Sequence, residues 1–201
     1  MSASMTSLGT SSIRLATPDD AGAVCSIYGA VVEQTATSFE LQPPDEHEMR
    51  RRISATLAEF PWLVYESGGR IFGYAYAGKF RTRPAYRWTA EVSVYLGEGH
   101  RGVGLGKKLY GALLDCLRVQ GCRSAVAGIT LPNPASVALH ERLGFRPVGV
   151  FARVGYKFGR WHDVGWWQVD LQELPDPPPE PQEISALRSL IAGDRFAEPR
   201  P

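Results

Sequence analysis

The sequence predicts a mixed α/β protein with one twisted, mixed β-sheet of about six to seven strands and helices on both faces of the sheet. Two observations predict this fold class. Segments with the alternating pattern of strands are interspersed with segments in which apolar residues recur at helical spacing, in the order βααβββαβαββ. A glycine-rich turn at residues 102–106 also joins an apolar strand directly to an amphipathic helix.

The folded unit is predicted to span residues 13–172, and the chain length of 201 residues fits one domain with tails. Residues 1–12 are rich in serine and threonine and are predicted to be a disordered N-terminal tail. Residues 173–201 are predicted to be a disordered, proline-rich C-terminal tail, because the segment PDPPPEP cannot form a helix or a strand ladder. Residues 183–192 favour at most a short helix, which has too little apolar surface for a core of its own.

The composition is ordinary for a globular protein, since 44% of the residues are hydrophobic and 21% are charged. The formal net charge of +1 gives no electrostatic reason to expect a nucleic-acid or membrane partner. No apolar run approaches the roughly 20 residues of a membrane span, and the N-terminus lacks the apolar segment of a signal peptide. Three cysteines without metal-ligand spacing predict reduced thiols, a cytoplasmic location and no bound metal.

The first half is predicted to hold one strand, two helices and a hairpin. Thr17 and Pro18 form a typical helix start, because the threonine can cap the helix and proline is favoured at the first helical position. A second start follows at 44–46, and the Ser-Gly-Gly turn at 67–69 separates the strands of a hairpin. The predicted elements are a strand at 13–16, helices from 17 to about 33 and from 44 to about 59, and strands at 62–66 and 70–77.

The second half begins with the clearest strand of the chain, residues 88–96. Its even-numbered residues are apolar, whereas Glu91 and the other odd-numbered residues face the opposite side. After the glycine-rich turn, leucines recur every four residues from Leu105 to Leu117, which predicts a helix. The remaining predicted elements are a buried strand at 123–129, a helix that begins at Asn133 and ends at Gly144, and final strands at about 145–156 and 163–171.

The most informative segment is Arg-Gly-Val-Gly-Leu-Gly-Lys at residues 101–107. Its three glycines stand at alternate positions, so the backbone can turn sharply and bring successive N–H groups to one point. The positive end of the following helix dipole adds to these donors. The segment therefore predicts a nest for a pyrophosphate, because a plain turn needs only one glycine.

Two common nucleotide-binding motifs do not fit this segment. A Walker loop requires glycine five residues before Gly106 and serine or threonine after Lys107, but the chain has Arg101 and Lys108 there. The dinucleotide motif GxGxxG fails because its last position falls on Lys107 or Leu109. Both common nucleotide interpretations are therefore excluded.

Arg101, Gly104 and Gly106 form the pattern Arg-x-x-Gly-x-Gly between a strand and a helix, which resembles the pyrophosphate loop of the GNAT superfamily of N-acetyltransferases. Four further blocks resemble the phosphinothricin and methionine sulfoximine acetyltransferases of that superfamily. These blocks are Thr89–Tyr95, Leu131–Asn133, Leu139–Phe145 and Gly155–Asp163. The resemblance implies a GNAT fold over residues 13–172, acetyl-CoA as the co-substrate, and acetyl transfer to the α-amine of a small amino-acid-like substrate.

A protonated amine attacks a thioester poorly, so this chemistry needs a proton acceptor. Glu91 is the predicted acceptor, since it lies mid-strand ten residues before Arg101 and the family has a glutamate at this motif position as the proposed base. The resemblance also assigns His140 to the catalytic site, where it could assist deprotonation or orient Glu91; a structural histidine is the alternative. Tyr110 could protonate the departing thiolate as a tyrosine does in many relatives, although its spacing also suits core packing.

Acetyl-CoA is predicted to contact the glycine-rich loop, the end of the preceding strand and the start of a later helix. The backbone at 94–96 resembles the family's segment that pairs with the pantetheine arm, where a donor can polarise the thioester carbonyl. Asn133 is predicted to cap its helix, and in relatives the same residue also contacts the cofactor. The predicted set is Val94, Tyr95, Leu96, Arg101, Gly102, Val103, Gly104, Leu105, Gly106, Lys107 and Asn133.

Phosphinothricin and methionine sulfoximine carry a carboxylate and a tetrahedral polar head, so a pocket for them needs arginines and aromatic side chains. The loop at 79–86 supplies both, and the family places substrate contacts on this loop. Thr130 stands where close relatives carry glycine or serine, which leaves the identity of the substrate open. The predicted substrate contacts are Phe39, Arg81, Arg83, Tyr86, Ser93 and Thr130.

The aromatic hairpin around residues 156–167 resembles a region that forms a two-fold interface in relatives, which predicts a homodimer. Two alternatives to the proposed reaction stay open. The same chemistry could act on another amino acid, an amine antibiotic or a protein N-terminus. A non-catalytic acyl-CoA-binding module would retain the glycine-rich loop but would have no use for Glu91.

Overall fold

The computed structural model describes residues 11–100 and 102–187, and this part of the chain confirms the mixed α/β fold with the predicted order of elements. The strands are β1 (Ser11–Leu15), β2 (Trp62–Ser67), β3 (Arg70–Lys79), β4 (Thr89–Leu96), β5 (Ser124–Leu131), β6 (Arg146–Lys157) and β7 (Arg160–Asp170). The α-helices are α1 (Ala21–Gln34), α2 (Glu46–Leu57), α3 (Leu105–Gln120) and α4 (Pro134–Arg142).

All of these strands form one sheet in the order β1-β2-β3-β4-β5-β7-β6. Neighbouring strands run antiparallel except for β4 and β5, which run parallel. The β4–β5 ladder extends only from the pair Thr89–Ser124 to the pair Glu91–Val126, although both strands continue beyond it. The sheet therefore opens between β4 and β5 immediately after Glu91.

Helices cover both faces of the sheet, as predicted. The helices α1 and α2 pack on one face with Trp62 and Tyr74, and α3 and α4 pack on the other with Ala90 and Ala125. Because successive side chains of a strand alternate, the odd-numbered residues of β4 face α1 and α2, and the even-numbered residues face α3. None of the described helices is long and apolar enough to cross a membrane.

The C-terminal segment 173–187 differs from the expectation of a disordered tail. Leu187 is fully buried and Ile184 nearly so, and both belong to the core that surrounds α3. Two apolar residues cannot form a core by themselves, but they can join one that other elements have built. At the other end, Ser11 and Ser12 belong to β1. The rest of both predicted tails lies outside the described residues.

Candidate active site

Glu91 lies where the β4–β5 ladder ends, on the sheet face that carries α1 and α2. Its cross-strand partner on β3 is Gly78, and the space that a side chain at Gly78 would occupy is open. Burial raises the pKa of the Glu91 carboxyl group, although the nearby Arg81 lowers it. A half-buried carboxylate with a raised pKa and free space beside it is suited to accept a proton.

Arg81 is held against aromatic rings on the same face as Glu91. Its guanidinium lies 4.1 Å from the centroid of the Phe80 ring and 5.9 Å from that of Trp166. The Trp166 indole packs over Gly128 of β5, where an added Cβ would lie 3.4 Å from the ring. The structure thus brings Arg81 into electrostatic range of Glu91 across the opening of the sheet.

Ser93 and Thr130 also lie on this face. Ser93 is two residues beyond Glu91 on β4 and is paired with Tyr76 on β3. Thr130 is paired with Val164 on β7 and is half buried. Three of the predicted substrate contacts, Arg81, Ser93 and Thr130, therefore lie on the same side of the sheet as Glu91.

Arg83 and Tyr86 line a different cavity of about 390 Å³ between the β3–β4 loop and the C-terminal segment. Arg81 and Thr89 belong to the wall of this cavity, and Glu91 does not. Tyr86 packs edge-on against Phe80, with the ring centroids 5.8 Å apart. The loop therefore reaches the Glu91 face through Arg81 and Phe80, while Arg83 and Tyr86 lie farther out.

Phe39, in the loop between α1 and α2, is seated on the β6–β7 hairpin. Its ring covers Gly155 so closely that a Cβ on Gly155 would overlap the ring. Its centroid also lies 6.0 Å from the imidazole of His162. Phe39 is 36% exposed, so one side of the ring remains free to contact a ligand.

Sequence reasoning missed the residue that holds this loop, Lys157. Its buried ammonium donates to the carbonyl oxygens of Val32 at 2.6 Å and Ser38 at 2.8 Å, and burial lowers the pKa of Lys157. Ser38 directly precedes Phe39, so these bonds set the position of the aromatic ring. The only available signal was a lysine at the end of β6, a strand that also contains Arg146 and Arg153, and it did not indicate the distant partner.

Tyr110 and His140 form a buried hydrogen-bonded pair between α3 and α4. Nδ1 of His140 lies 2.7 Å from the carbonyl oxygen of Ser136, which can only accept, so Nδ1 carries the proton and Nε2 accepts from the Tyr110 hydroxyl at 3.0 Å. Burial lowers the pKa of His140 and raises that of Tyr110 well above its usual value. The ring atoms of His140 thus contact Ser136 and Tyr110, and the expected orienting contact with Glu91 is not among the described hydrogen bonds.

The glycine-rich loop turns through two left-handed residues, Gly102 with φ 79° and Gly104 with φ 85°. Gly104 is the N-cap of α3, and no side chain caps the helix there. The first helical bond is donated by the N–H of Lys108 to Gly104 O, so the N–H groups of residues 105–107 point out of the helix end. Val103 and Lys107 are exposed, and Arg101 lies outside the described residues.

The end of β4 presents backbone groups to the opening of the sheet. Gly97 N donates to Phe72 O on β3, and Trp88 O accepts from Arg123 N before β5, so odd-numbered residues turn their backbone groups to β3 and even-numbered residues turn theirs to β5. The ladder with β5 stops at Glu91, which leaves Val94 and Leu96 without a ladder partner in the described part of β5.

By the same alternation the backbone of Tyr95 turns to β3, where it is paired with Tyr74. Its side chain packs on the α1 face, with its ring centroid 5.2 Å from that of Tyr28.

Asn133 caps α4 as predicted, since Oδ1 accepts from the N–H of Ser136 at 3.1 Å. Among the described residues, no group of three or more His, Cys, Asp or Glu side chains could hold a metal ion.

Residues 13–166 match the family model described as the acetyltransferase (GNAT) domain. The chain is 45% identical over 166 residues to the phosphinothricin N-acetyltransferase of Streptomyces viridochromogenes, which covers 83% of this chain and 90% of that protein. It is 38% identical to the L-methionine sulfoximine/L-methionine sulfone acetyltransferase of Salmonella typhimurium, over 80% of this chain and 95% of that protein.

The fold is also similar to a solved GNAT phosphinothricin acetyltransferase from Sinorhizobium meliloti in complex with acetyl-CoA. The TM-score is 0.80 at 34% sequence identity, and the match covers 93% of this chain and 98% of that chain. The likeness therefore extends over both the Glu91 face and the glycine-rich loop.

Proposed function

Because the chain belongs to the GNAT family of acetyltransferases, we propose that it transfers the acetyl group of acetyl-CoA to the α-amine of a small amino acid with an acidic or tetrahedral polar head, such as phosphinothricin or methionine sulfoximine. The observation that carries the proposal is the opening of the sheet beside Glu91. Free backbone donors of β4 and a carboxylate with a raised pKa meet at this opening.

The glycine-rich loop suits the pyrophosphate of acetyl-CoA. No described atom lies within 4 Å of the positions that a Cβ on Gly102 or Gly104 would take, so an anion can approach the backbone there. The uncapped N–H groups of Leu105 to Lys107 supply donors, and the helix dipole adds positive potential. Acetyl-CoA supplies the activated acetyl group when it is bound at this loop.

Glu91 is the proposed proton acceptor. The substrate arrives as an ammonium ion, and Glu91 removes one proton. The free amine then attacks the thioester carbonyl carbon and the C–S bond breaks. The second proton of the nitrogen passes to the departing sulfur, so the products are the neutral amide and the thiol of CoA. The free N–H of Val94 is the proposed donor for the carbonyl oxygen, which gains negative charge as the amine attacks. Both groups belong to β4, so one strand positions the base and the oxyanion donor.

Tyr110 and His140 are proposed to support this site from the α3 face. Burial raises the pKa of Tyr110 well above its usual value, so the phenol is a weaker acid than a thiol. Tyr110 is therefore suited to donate a hydrogen bond but not to transfer its proton to the departing thiolate. Its hydroxyl already donates to Nε2 of His140. The geometry therefore favours a structural pair over the catalytic histidine that the resemblance implies.

Arg81 and Phe39 are proposed to contact the substrate. Arg81 is a cation near Glu91 whose guanidinium can pair with a carboxylate or phosphinate in a bidentate way. Phe39 can cover the aliphatic part of the substrate from the opposite side. A substrate with a free amine between an acidic group and a short aliphatic chain fits both.

A thiol-release screen tests the proposed reaction. We expect acetyl-CoA turnover with phosphinothricin or methionine sulfoximine to exceed turnover with polyamines, amine antibiotics and an N-terminal peptide by at least about tenfold in kcat/KM, because only the amino acids can pair with Arg81. A preference for the peptide or a polyamine would contradict the substrate class. Tight acetyl-CoA binding without turnover of any amine would instead favour a binding module.

We also propose that the protein is a homodimer formed through the β6–β7 hairpin. Large apolar side chains are exposed together at this sheet edge, and contiguous apolar patches are rarely left open on monomers. More than half of the surface is exposed for each of Val148, Val150, Phe151, Val154, Tyr156, Phe158 and Trp161. A second copy supplies an equally apolar surface through two-fold symmetry.

Sedimentation velocity is expected to give twice the chain mass of 22.1 kDa at micromolar concentration. Phe151→Glu should shift the protein to monomers, because it places a charge in the apolar patch. Leu41→Glu, at another exposed apolar residue outside the hairpin, should leave the dimer intact. A monomeric parent protein, or equal effects of both substitutions, would contradict this interface.

A further inference from the structure

The C-terminal segment 173–187 crosses the outer side of the β3–β4 loop and is bonded to it at two neighbouring residues. Nη1 of Arg87 donates to both carboxylate oxygens of Glu180 at 2.6 Å, and the indole N–H of Trp88 donates to the carbonyl oxygen of Pro179 at 2.8 Å. The Arg87 guanidinium also lies 4.6 Å from the Trp88 ring centroid, so the two side chains form one contact surface.

The segment is anchored on both sides of these contacts. Before them, Arg123 donates to Gln172 O at 3.0 Å, and Nε2 of Gln172 donates to Cys122 O at 3.0 Å. After them, the N–H of Gln182 donates to Gln120 O at 2.7 Å, and Leu187 is buried against α3. Since both ends of the segment are attached to the core, its middle part can restrain Arg87 and Trp88, the residues that it contacts.

The restrained loop is the one that carries Arg81. A short 3-10 turn at Pro84–Tyr86 links Arg81 to Arg87, and Nε of Arg87 donates to Pro84 O at 2.9 Å. The edge-on contact between Phe80 and Tyr86 closes the loop on itself. A displacement at Arg87 would therefore be transmitted to Arg81 through the turn.

The contacts of Arg87 with Glu180 are exposed to solvent, which limits their contribution to the stability of the fold. About 40% of the Arg87 side chain and 70% of the Glu180 side chain are accessible to solvent. Exposed ion pairs add little to global stability. The Arg87–Glu180 ion pair can therefore favour one position of the loop without being needed for folding. A variant that lacks this pair should still fold, so the effect on the loop can be measured.

We propose that residues 173–187 form a strap that holds the β3–β4 loop in the position in which Arg81 binds the acidic group of the amino-acid substrate. Arg87, Trp88 and Glu180 are positioning residues for Arg81. The proposal rests on the proposed function for its substrate. It concerns a part of the chain that lies beyond the matched family region, which ends at residue 166.

The test compares Glu180→Ala with Glu173→Ala, a matched control on the same strap. The exposed Glu173 carboxylate pairs with Arg123 and not with the loop, and its removal leaves the bonds of Gln172 that anchor the strap. In Glu180→Ala, KM for the amine should rise about fivefold or more, while kcat and KM for acetyl-CoA stay within about twofold. Limited trypsin digestion followed by mass spectrometry should show faster cleavage after Arg81. Trp88→Phe, which keeps a ring but loses the N–H donor, should change both measurements in the same direction.

Glu173→Ala should match the parent protein in both measurements. If Glu180→Ala and Glu173→Ala are indistinguishable in KM and in cleavage, the strap is refuted. Faster cleavage with an unchanged KM for the amine refutes the role in substrate binding. If the parent protein acetylates no amino acid, the proposed function fails, whereas the cleavage comparison still decides whether the strap holds the loop.

Discussion

Replacing Glu91 with glutamine is expected to lower kcat for the amine by about 100-fold or more, while the Kd for acetyl-CoA stays within about twofold. Glutamine keeps the size and the hydrogen-bonding capacity of the side chain but cannot accept a proton at neutral pH. Acetyl-CoA affinity depends on the glycine-rich loop, which this substitution does not touch. Steady-state kinetics and isothermal titration calorimetry measure the two quantities separately.

The pH dependence gives the same prediction a second readout. Burial raises the pKa of Glu91, so the carboxylate becomes protonated at a higher pH than an exposed glutamate. Activity of the parent protein should therefore fall as the pH decreases through this raised pKa, because the proton acceptor is lost below it. The Glu91→Gln protein should lack this acidic limb in its residual rate.

Glu33→Gln, at an exposed carboxylate near the end of α1, is the matched control and should leave kcat and the pH profile unchanged. Unchanged turnover of Glu91→Gln would remove Glu91 as the base. Loss of acetyl-CoA binding in the same variant would indicate that the side chain supports the cofactor site instead.

The features that the sequence predicted well are those with local causes. The strand pattern around Glu91, the cap at Asn133 and the sharp turn through the glycine-rich loop each depend on a few neighbouring residues. The order of the helices and strands was also predictable, because the type of each element follows from the hydrophobic periodicity within its own segment. These local signals were sufficient to place Glu91 within its strand and the glycine-rich loop directly before α3.

The features that escaped prediction depend on contacts between distant segments. The position of the Phe39 ring depends on Gly155 and Lys157, which are more than 100 residues away in the chain. The orientation of the Tyr95 backbone depends on which neighbouring strand takes which edge of β4, a property of the sheet order. Likewise, the burial of Leu187 depends on its packing against the apolar side chains of α3.

Replacing Gly104 with valine is expected to weaken acetyl-CoA binding by about 100-fold or more, which would leave little heat in a calorimetric titration. Gly104 has φ 85°, a conformation that costs a residue with a β-carbon about 1–2 kcal/mol and a β-branched residue more. The space around the glycine is open, so the side chain meets no steric clash with described atoms. The backbone will relax towards negative φ, and this rotation turns the N–H groups at the start of α3 away from a common point.

Gly111→Val is the matched control, because Gly111 lies within the same helix, also faces open space and has no positive φ. It should bind acetyl-CoA like the parent protein. Thermal unfolding checks that both variants are folded at the temperature of the titration, and Gly104→Ala should show a smaller loss of affinity than Gly104→Val. Undiminished affinity in a folded Gly104→Val protein would mean that the pyrophosphate is bound elsewhere, and the anion-binding role of the α3 N-terminus would then have to be abandoned.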